Sequence, residues 1–221
     1  MHDSTATISG RVAEASERAS EFMSMPQDDE ETEDGTLWVF GFGSLMWRPG
    51  FSYTQMQAAA LDGYRRDMCF LSIHYRGTPQ VPGLVCGLVK ADQPRVVCKG
   101  RAFCVHKSDE AKVVAYLDKR ELITDIYHPT RVHIRLTDGR YVNARTYLSD
   151  TSHDQFVGNW PDENKAAAIA AGVGSEGSSL EYLENIVHHL KGLDITDVYM
   201  EKLLTKARLC KSGKALQEHK Y

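Results

Sequence analysis

An α+β architecture built on a curved or closed mixed sheet is predicted for this chain by three observations. Strand-length apolar runs come first, amphipathic helices gather late, and the regular strand–helix alternation of a doubly wound sheet is missing. The 221 residues suit a single core with flanking tails.

The chain opens on an acidic segment. Residues 1–36 hold ten acids and two bases, a balance of −8, which leaves +4 for residues 37–221 out of an overall −4. Self-repulsion along Asp28, Asp29, Glu30, Glu31, Glu33 and Asp34 outweighs any burial, so residues 1–36 are expected to be a mobile tail. Ile8, Val12, Ala15 and Phe22 give it a patchy helical spacing from about residue 10 to 23.

Leu37-Trp38-Val39-Phe40, broken by Gly41-Phe42-Gly43, reads as a buried strand ending in a sharp turn. Further strands are expected at Met68–Ile73, Leu84–Val89, Gly100–Val105, Val132–Leu136 and Tyr141–Leu148. In the last of these, Val142, Ala144, Thr146 and Leu148 share one face. Tyr141, Asn143, Arg145 and Tyr147 share the other.

Ser108 is a candidate cap for a helix with Asp109 and Glu110 in its first turn and a stripe of Val113, Val114 and Leu117. Ser178-Ser179-Leu180-Glu181 matches a capping box and opens a helix that buries Leu180, Leu183, Val187 and Leu190 and stops near Gly192. A last helix is expected from about Thr196 to Ala207, followed by a C-terminal tail over residues 211–221.

Composition narrows the class. Apolar residues make up 42% and charged residues 25%, as in ordinary globular proteins, and no apolar run approaches membrane-helix length. No signal-peptide core is present, and the early acids argue against a transit peptide, so a cytoplasmic location is expected. Five cysteines without a CxxC pair suggest core thiols. The small positive excess after residue 36 is no basis for nucleic-acid binding, and neither a membrane nor a nucleic-acid partner is expected.

Three segments could carry chemistry. Gly41-Phe42-Gly43-Ser44 is either a plain tight turn or a nest of backbone N–H groups for an anion, glycine tolerating positive φ and close approach. The spacing of a dinucleotide fingerprint is absent.

In Tyr116-Leu117-Asp118-Lys119-Arg120-Glu121, the steps Val114 to Leu117 to Glu121 bring Glu121 onto the apolar face. There, burial and the negative end of the helix dipole would raise its pKa and suit it to proton transfer. The alternative is a glutamate past the helix end, paired in solvent with Arg120 or Lys119.

Arg76-Gly77-Thr78-Pro79, with Pro82-Gly83 close behind, is a structural loop or a carboxylate grip made by Arg76. The histidines are scattered, so no metal is expected; no GxSxG elbow or convincing Ser/His/Asp set is present.

These segments resemble, in order, the landmarks of the ChaC-like γ-glutamylcyclotransferase family. Trp38 to Trp47 resembles its opening strand and loop, and Tyr116 to Glu121 its helix ending in the catalytic glutamate. Tyr127-His128-Pro129, Arg76 to Pro79, and Gly177 to Leu183 are similar to further landmarks, with coverage from about Leu37 to Leu204.

The resemblance implies a catalytic domain over residues 37–210, folded as a small mixed β-barrel flanked by helices. It also implies conversion of glutathione to 5-oxoproline and Cys-Gly without a cofactor, the alternatives being a cyclotransferase for another γ-glutamyl peptide or amine, or a non-catalytic binding or regulatory protein on the same fold. Glu121 would be the general acid/base. Val39, Phe40, Gly41, Phe42, Gly43, Ser44 and Leu45 would line the substrate site, with Arg76 and Tyr182 as further contacts. Phe42 stands where the family often has Tyr, Ser179 where it often has Asn, and Leu84 where many animal members have Arg.

Overall fold

The computed structural model describes residues 36–213 apart from Pro94; the expected acidic tail up to residue 35, its short helix, and residues 214–221 lie outside the described residues. Five strands close a barrel in the order β1 (Leu37–Gly41), β5 (Val97–Val105), β2 (Gln55–Asp62), β6 (Tyr127–Leu136), β7 (Tyr141–Ser149). Every pairing is antiparallel except the closing one, where Trp38 lies beside Ala144 and Val39 beside Arg145 in parallel. Strands β3 (Tyr64–Ser72) and β4 (Gly83–Lys90) form a separate antiparallel ribbon, with a register shift between Met68 and Phe70.

β1 is buried along its whole length because two cores meet on it. Trp38 and Phe40 join the main core. Leu37 and Val39 join a second core with Phe103, Val105 and Tyr147, beneath Val113 and Leu117 of helix α1 (Glu110–Glu121). That two-sided burial is the cause of its unbroken apolar run.

Helices α2 (Asp162–Ala171), α3 (Ser179–Lys191) and α4 (Val198–Lys211) pack on the main core. A short ribbon of β8 (Val173–Gly174) and β9 (Gly177–Ser178) leads into α3. Among the described residues no helix is long and apolar enough to cross a membrane.

The expected caps hold in part. The Ser178 hydroxyl accepts from the Glu181 amide at 3.1 Å, so α3 begins where the capping box predicts. Ser108 is not the cap of α1. The His106 ring accepts from the Ser108 amide and starts a 3-10 turn over Lys107–Asp109, after which Asp109 stands at the N-cap of α1. The last helix starts two residues later than expected, because Asp197 accepts from the Met200 amide at 3.1 Å.

Besides the two-residue strands β8 and β9, two longer elements escape the sequence reading. β2 contains Gln55, Gln57 and three successive alanines, poor intrinsic strand formers, and is held in the sheet by pairing on both sides. α2 carries Lys165 on its buried side; that side chain is almost wholly enclosed and reaches Asp67 at 2.8 Å. β6 also starts earlier than expected. Pro129 is tolerated there because β2 pairs only with Arg135 and Leu136, leaving the first half of β6 unpaired on that side.

Candidate active site

A narrow recess opens where the end of α1 faces the loop after β1. It is lined by Phe42, Gly43, Ser44 and Leu45 from that loop, Glu121 from α1, and Cys86, Tyr127, Tyr147 and Tyr182. Six of the residues expected from the sequence are thereby brought together.

The loop is shaped by close approach rather than by positive φ. Gly41 and Gly43 are not among the positive-φ residues, and Gly43 has φ −120°. A Cβ at Gly41 would come within 2.9 Å of the Leu45 Cβ, and one at Gly43 within 2.9 Å of the Tyr182 hydroxyl. The chain then makes a 3-10 turn over Ser44–Met46. The Met46 and Trp47 amides donate to the Gly43 and Ser44 carbonyls at 3.0 and 3.2 Å, so Ser44 and Leu45 supply the leading N–H groups of the turn.

Two cations, the buried Arg66 and the half-buried Arg101, brace this turn from behind. Arg66 donates to the Phe42 carbonyl at 2.6 Å, and Arg101 donates to the Met46 carbonyl at 2.7 Å. The rest of the Arg66 guanidinium is taken by the Lys99 carbonyl at 2.6 Å and by Asp197 at 3.0 Å. A larger cavity of about 400 Å3 adjoins Arg65, Arg66, Lys99, Asp197 and Tyr199, but none of the recess residues lines it.

Glu121 occupies the last position of α1, on the side its spacing predicts. Its side chain is only 18% exposed, and its Oε1 lies 3.0 Å from Arg120 Nε. The alternative reading is therefore half right, since the pair with Arg120 exists but is not in solvent. Burial pushes the Glu121 carboxyl above the ordinary glutamate value, against the opposing pull of the Arg120 charge and hydrogen bond.

The phenols that face Glu121 are fixed. Tyr127 donates to the Cys86 carbonyl at 2.6 Å, and Tyr147 donates to Asp118 Oδ1 at 2.6 Å. Burial holds Tyr127, Tyr147 and Tyr182 neutral well past the ordinary tyrosine range. Burial also pushes the Cys86 thiol well up, which leaves it protonated and a poor nucleophile near neutrality.

Four expected site residues do not line the recess. Val39 and Phe40 are fully enclosed, their side chains in the second and the main core respectively, and Gly41 is the last residue of β1. Arg76 is 7% exposed, with its guanidinium 5.2 Å from the Tyr182 ring centroid and Nη1 donating to the Ser178 carbonyl at 3.4 Å.

The loop around Arg76 has a structural cause. A Cβ at Gly77 would sit 2.1 Å from the Gly83 nitrogen, so two chain segments cross there in van der Waals contact. Cys86, Tyr127 and Tyr147 are recess residues that sequence reasoning did not assign to the site. The pattern of β7 offered a signal for Tyr147, a bulky ring on the face that turns to α1.

The protein can be set beside its relatives with this geometry in hand. A family described as ChaC-like protein matches residues 37–209. The chain is 31% identical to a glutathione-specific γ-glutamylcyclotransferase of Escherichia coli strain K12, over 80% of this chain and 74% of that one. It is 30% identical to glutathione-specific γ-glutamylcyclotransferase 1 of Danio rerio, over 76% of this chain and 85% of that one.

The fold matches a crystal structure of the yeast γ-glutamylcyclotransferase specific to glutathione with a TM-score of 0.75 at 23% identity, covering 82% of this chain and all of that one. The chain shares its fold with that yeast enzyme. The chain belongs to the ChaC-like γ-glutamylcyclotransferase family.

Proposed function

We propose that this protein degrades glutathione by internal cyclisation, releasing 5-oxoproline and Cys-Gly, with Glu121 carrying the proton. One observation carries the reading: a buried carboxylate and the leading amides of a tight turn share a recess walled by Phe42, Cys86 and three tyrosine rings.

In the reaction, the Glu121 carboxylate takes a proton from the α-ammonium of the γ-glutamyl group. The freed amine attacks the γ-carbonyl carbon, closing a five-membered ring and pushing the carbonyl electrons onto oxygen. Collapse of that adduct breaks the bond to the cysteinyl nitrogen, which receives the proton from Glu121; the ring nitrogen then passes its second proton through the same carboxylate to the released amine, leaving a neutral lactam and the Cys-Gly ammonium. Charge and atoms balance without a covalent enzyme intermediate. The protein's share of the work is holding the γ-glutamyl arm in attack geometry and moving two protons in turn from the attacking to the leaving nitrogen.

In this scheme the Ser44 and Leu45 amides face the γ-glutamyl carboxylate or the developing oxyanion, and Phe42, Gly43 and Tyr182 wall the arm. Arg76 acts on the substrate only through the Tyr182 ring it covers. Free cysteines throughout the chain fit a reducing cytoplasm, the compartment we propose.

The test compares glutathione with N-acetylglutathione and identifies the glutamyl product by mass. Glutathione is expected to yield 5-oxoproline, and the acetylated compound, whose nitrogen has lost its available lone pair, is expected not to react. Cleavage of both, or release of free glutamate, would identify a hydrolase instead.

A further inference from the structure

Arg120 follows directly on from the apolar face of α1, yet its side chain turns back into the site. Four acceptors surround its guanidinium. Nε lies 3.0 Å from Glu121 Oε1, and Nη2 donates to the Ser44 hydroxyl at 2.9 Å. Nη1 donates to the Arg48 carbonyl and to the Tyr116 hydroxyl, the latter at 3.2 Å. A single planar fork therefore bonds both the carboxylate on the helix and the loop on the opposite wall.

We propose that Arg120 is a positioning residue that joins Glu121 to the Ser44 turn, so that the proton carrier and the substrate-holding loop keep one fixed separation. The inference rests on the reading that Glu121 carries the proton. Lysine could supply the charge but not the fork, because its ammonium is a point charge on a flexible stem. Glutamine could supply neither.

The groups around Glu121 make Arg120 the electrical control as well. Across the recess stand Tyr127 from β6, Tyr147 from β7, Tyr182 from α3 and Cys86 from β4, all held neutral by burial. Asp118, one turn back on α1, is committed to Arg145 and Tyr147 at 2.6 Å each. Arg120 is thus the cation that opposes the burial of the Glu121 charge.

The test measures kcat, KM and the pH dependence of kcat/KM for Arg120→Gln, Arg120→Lys and Ser44→Ala, with the Glu121 carboxyl titrated independently by carbon NMR. For Arg120→Gln, kcat is expected to fall about tenfold or more, and the acid limb and the NMR titration to move up by about one pH unit. Arg120→Lys is expected to restore the titration but not kcat. Ser44→Ala is expected to raise KM and leave the titration in place.

An unchanged titration and a kcat within about twofold of wild type in Arg120→Gln overturns the inference. If that variant does not fold, a wild-type kcat in Arg120→Lys overturns it equally. Loss of turnover in Glu121→Gln beside an unaffected Arg120→Gln sinks only the positioning role, whereas a fully active Glu121→Gln removes the reading beneath it.

Discussion

The Tyr147 hydroxyl donates to Asp118 at 2.6 Å, which fastens strand β7 to helix α1 three residues before Glu121. Arg145 donates to the same carboxylate oxygen at 2.6 Å and reaches the Tyr147 hydroxyl at 3.3 Å. The floor of the recess and the helix that presents the carboxylate are therefore one hydrogen-bonded assembly. Removing a partner from it should be felt at Glu121 as well as in the fold.

Tyr147→Phe keeps the ring in the second core and deletes only the bond to Asp118. A hydrogen bond to a charged group contributes about 1.5–3 kcal/mol, so thermal unfolding should shift down by several degrees, with a smaller loss of kcat than Arg120→Gln causes. For Asp118, burial raises the carboxyl pKa but is outweighed by Tyr147 and Arg145, leaving it below its ordinary 3.8. The stabilisation is therefore present above that value and lost as pH falls through the lower folded value. Melting curves should show the penalty of Tyr147→Phe shrinking in strong acid; a penalty constant with pH would assign it to packing alone.

Glu121→Gln should abolish turnover, because the amide keeps the shape but carries no proton. It should also stabilise the fold at neutral pH. A carboxyl whose folded pKa is raised contributes stability while it is protonated and loses that contribution as pH rises through the folded value. The variant has no such loss. Its melting temperature relative to wild type should climb between about pH 4 and pH 7. A difference that stays flat would mean the charge is solvated in the folded protein.

Legibility followed how local the cause was. β1, β7 and α3 are written in runs, alternation and a cap that act over a few residues, and they lie where the sequence predicts. β2 is a strand because β5 and β6 flank it, a cause carried by distant residues. The site behaved likewise. Glu121 was legible from a helical step, and the glycine loop from its position after a strand. Cys86 enters the recess through the pairing of β3 with β4, and Tyr127 from the half of β6 that pairs only with β7, neither of which has a local signature. The glycines were legible as special, and of the two reasons offered close approach is the one that holds: contact with Leu45 and Tyr182, not positive φ, demands them.

Gly43→Ala tests that contact. Its φ of −120° is negative, so the effect is expected to come chiefly from the added methyl meeting the Tyr182 hydroxyl at 2.9 Å. The expected result is a fall in kcat/KM of about tenfold with little change in melting temperature, because misplacement at a site costs rate before stability. Combining it with Tyr182→Phe should recover part of the loss. A double variant as poor as the product of the two singles would show that the methyl and the hydroxyl do not meet.

Ser179 and Leu84, two of the positions where this chain differs from the family's common residues, touch each other. The Ser179 hydroxyl accepts from the Leu84 amide at 2.9 Å and donates to the Leu84 carbonyl at 2.7 Å, and both residues are fully buried. One hydroxyl thereby satisfies two main-chain groups of β4 from the first turn of α3. Ser179→Ala would leave both without that partner in a place water does not reach, at a cost of about 1–3 kcal/mol. The denaturant midpoint should fall accordingly with an unchanged slope, while kcat per folded molecule stays within about twofold of wild type, since neither residue lines the recess. A stability loss below about 0.5 kcal/mol would mean that β4 finds other partners, and a large fall in kcat would mean that the seam between β4 and α3 sets the position of Tyr182, three residues further along the same helix.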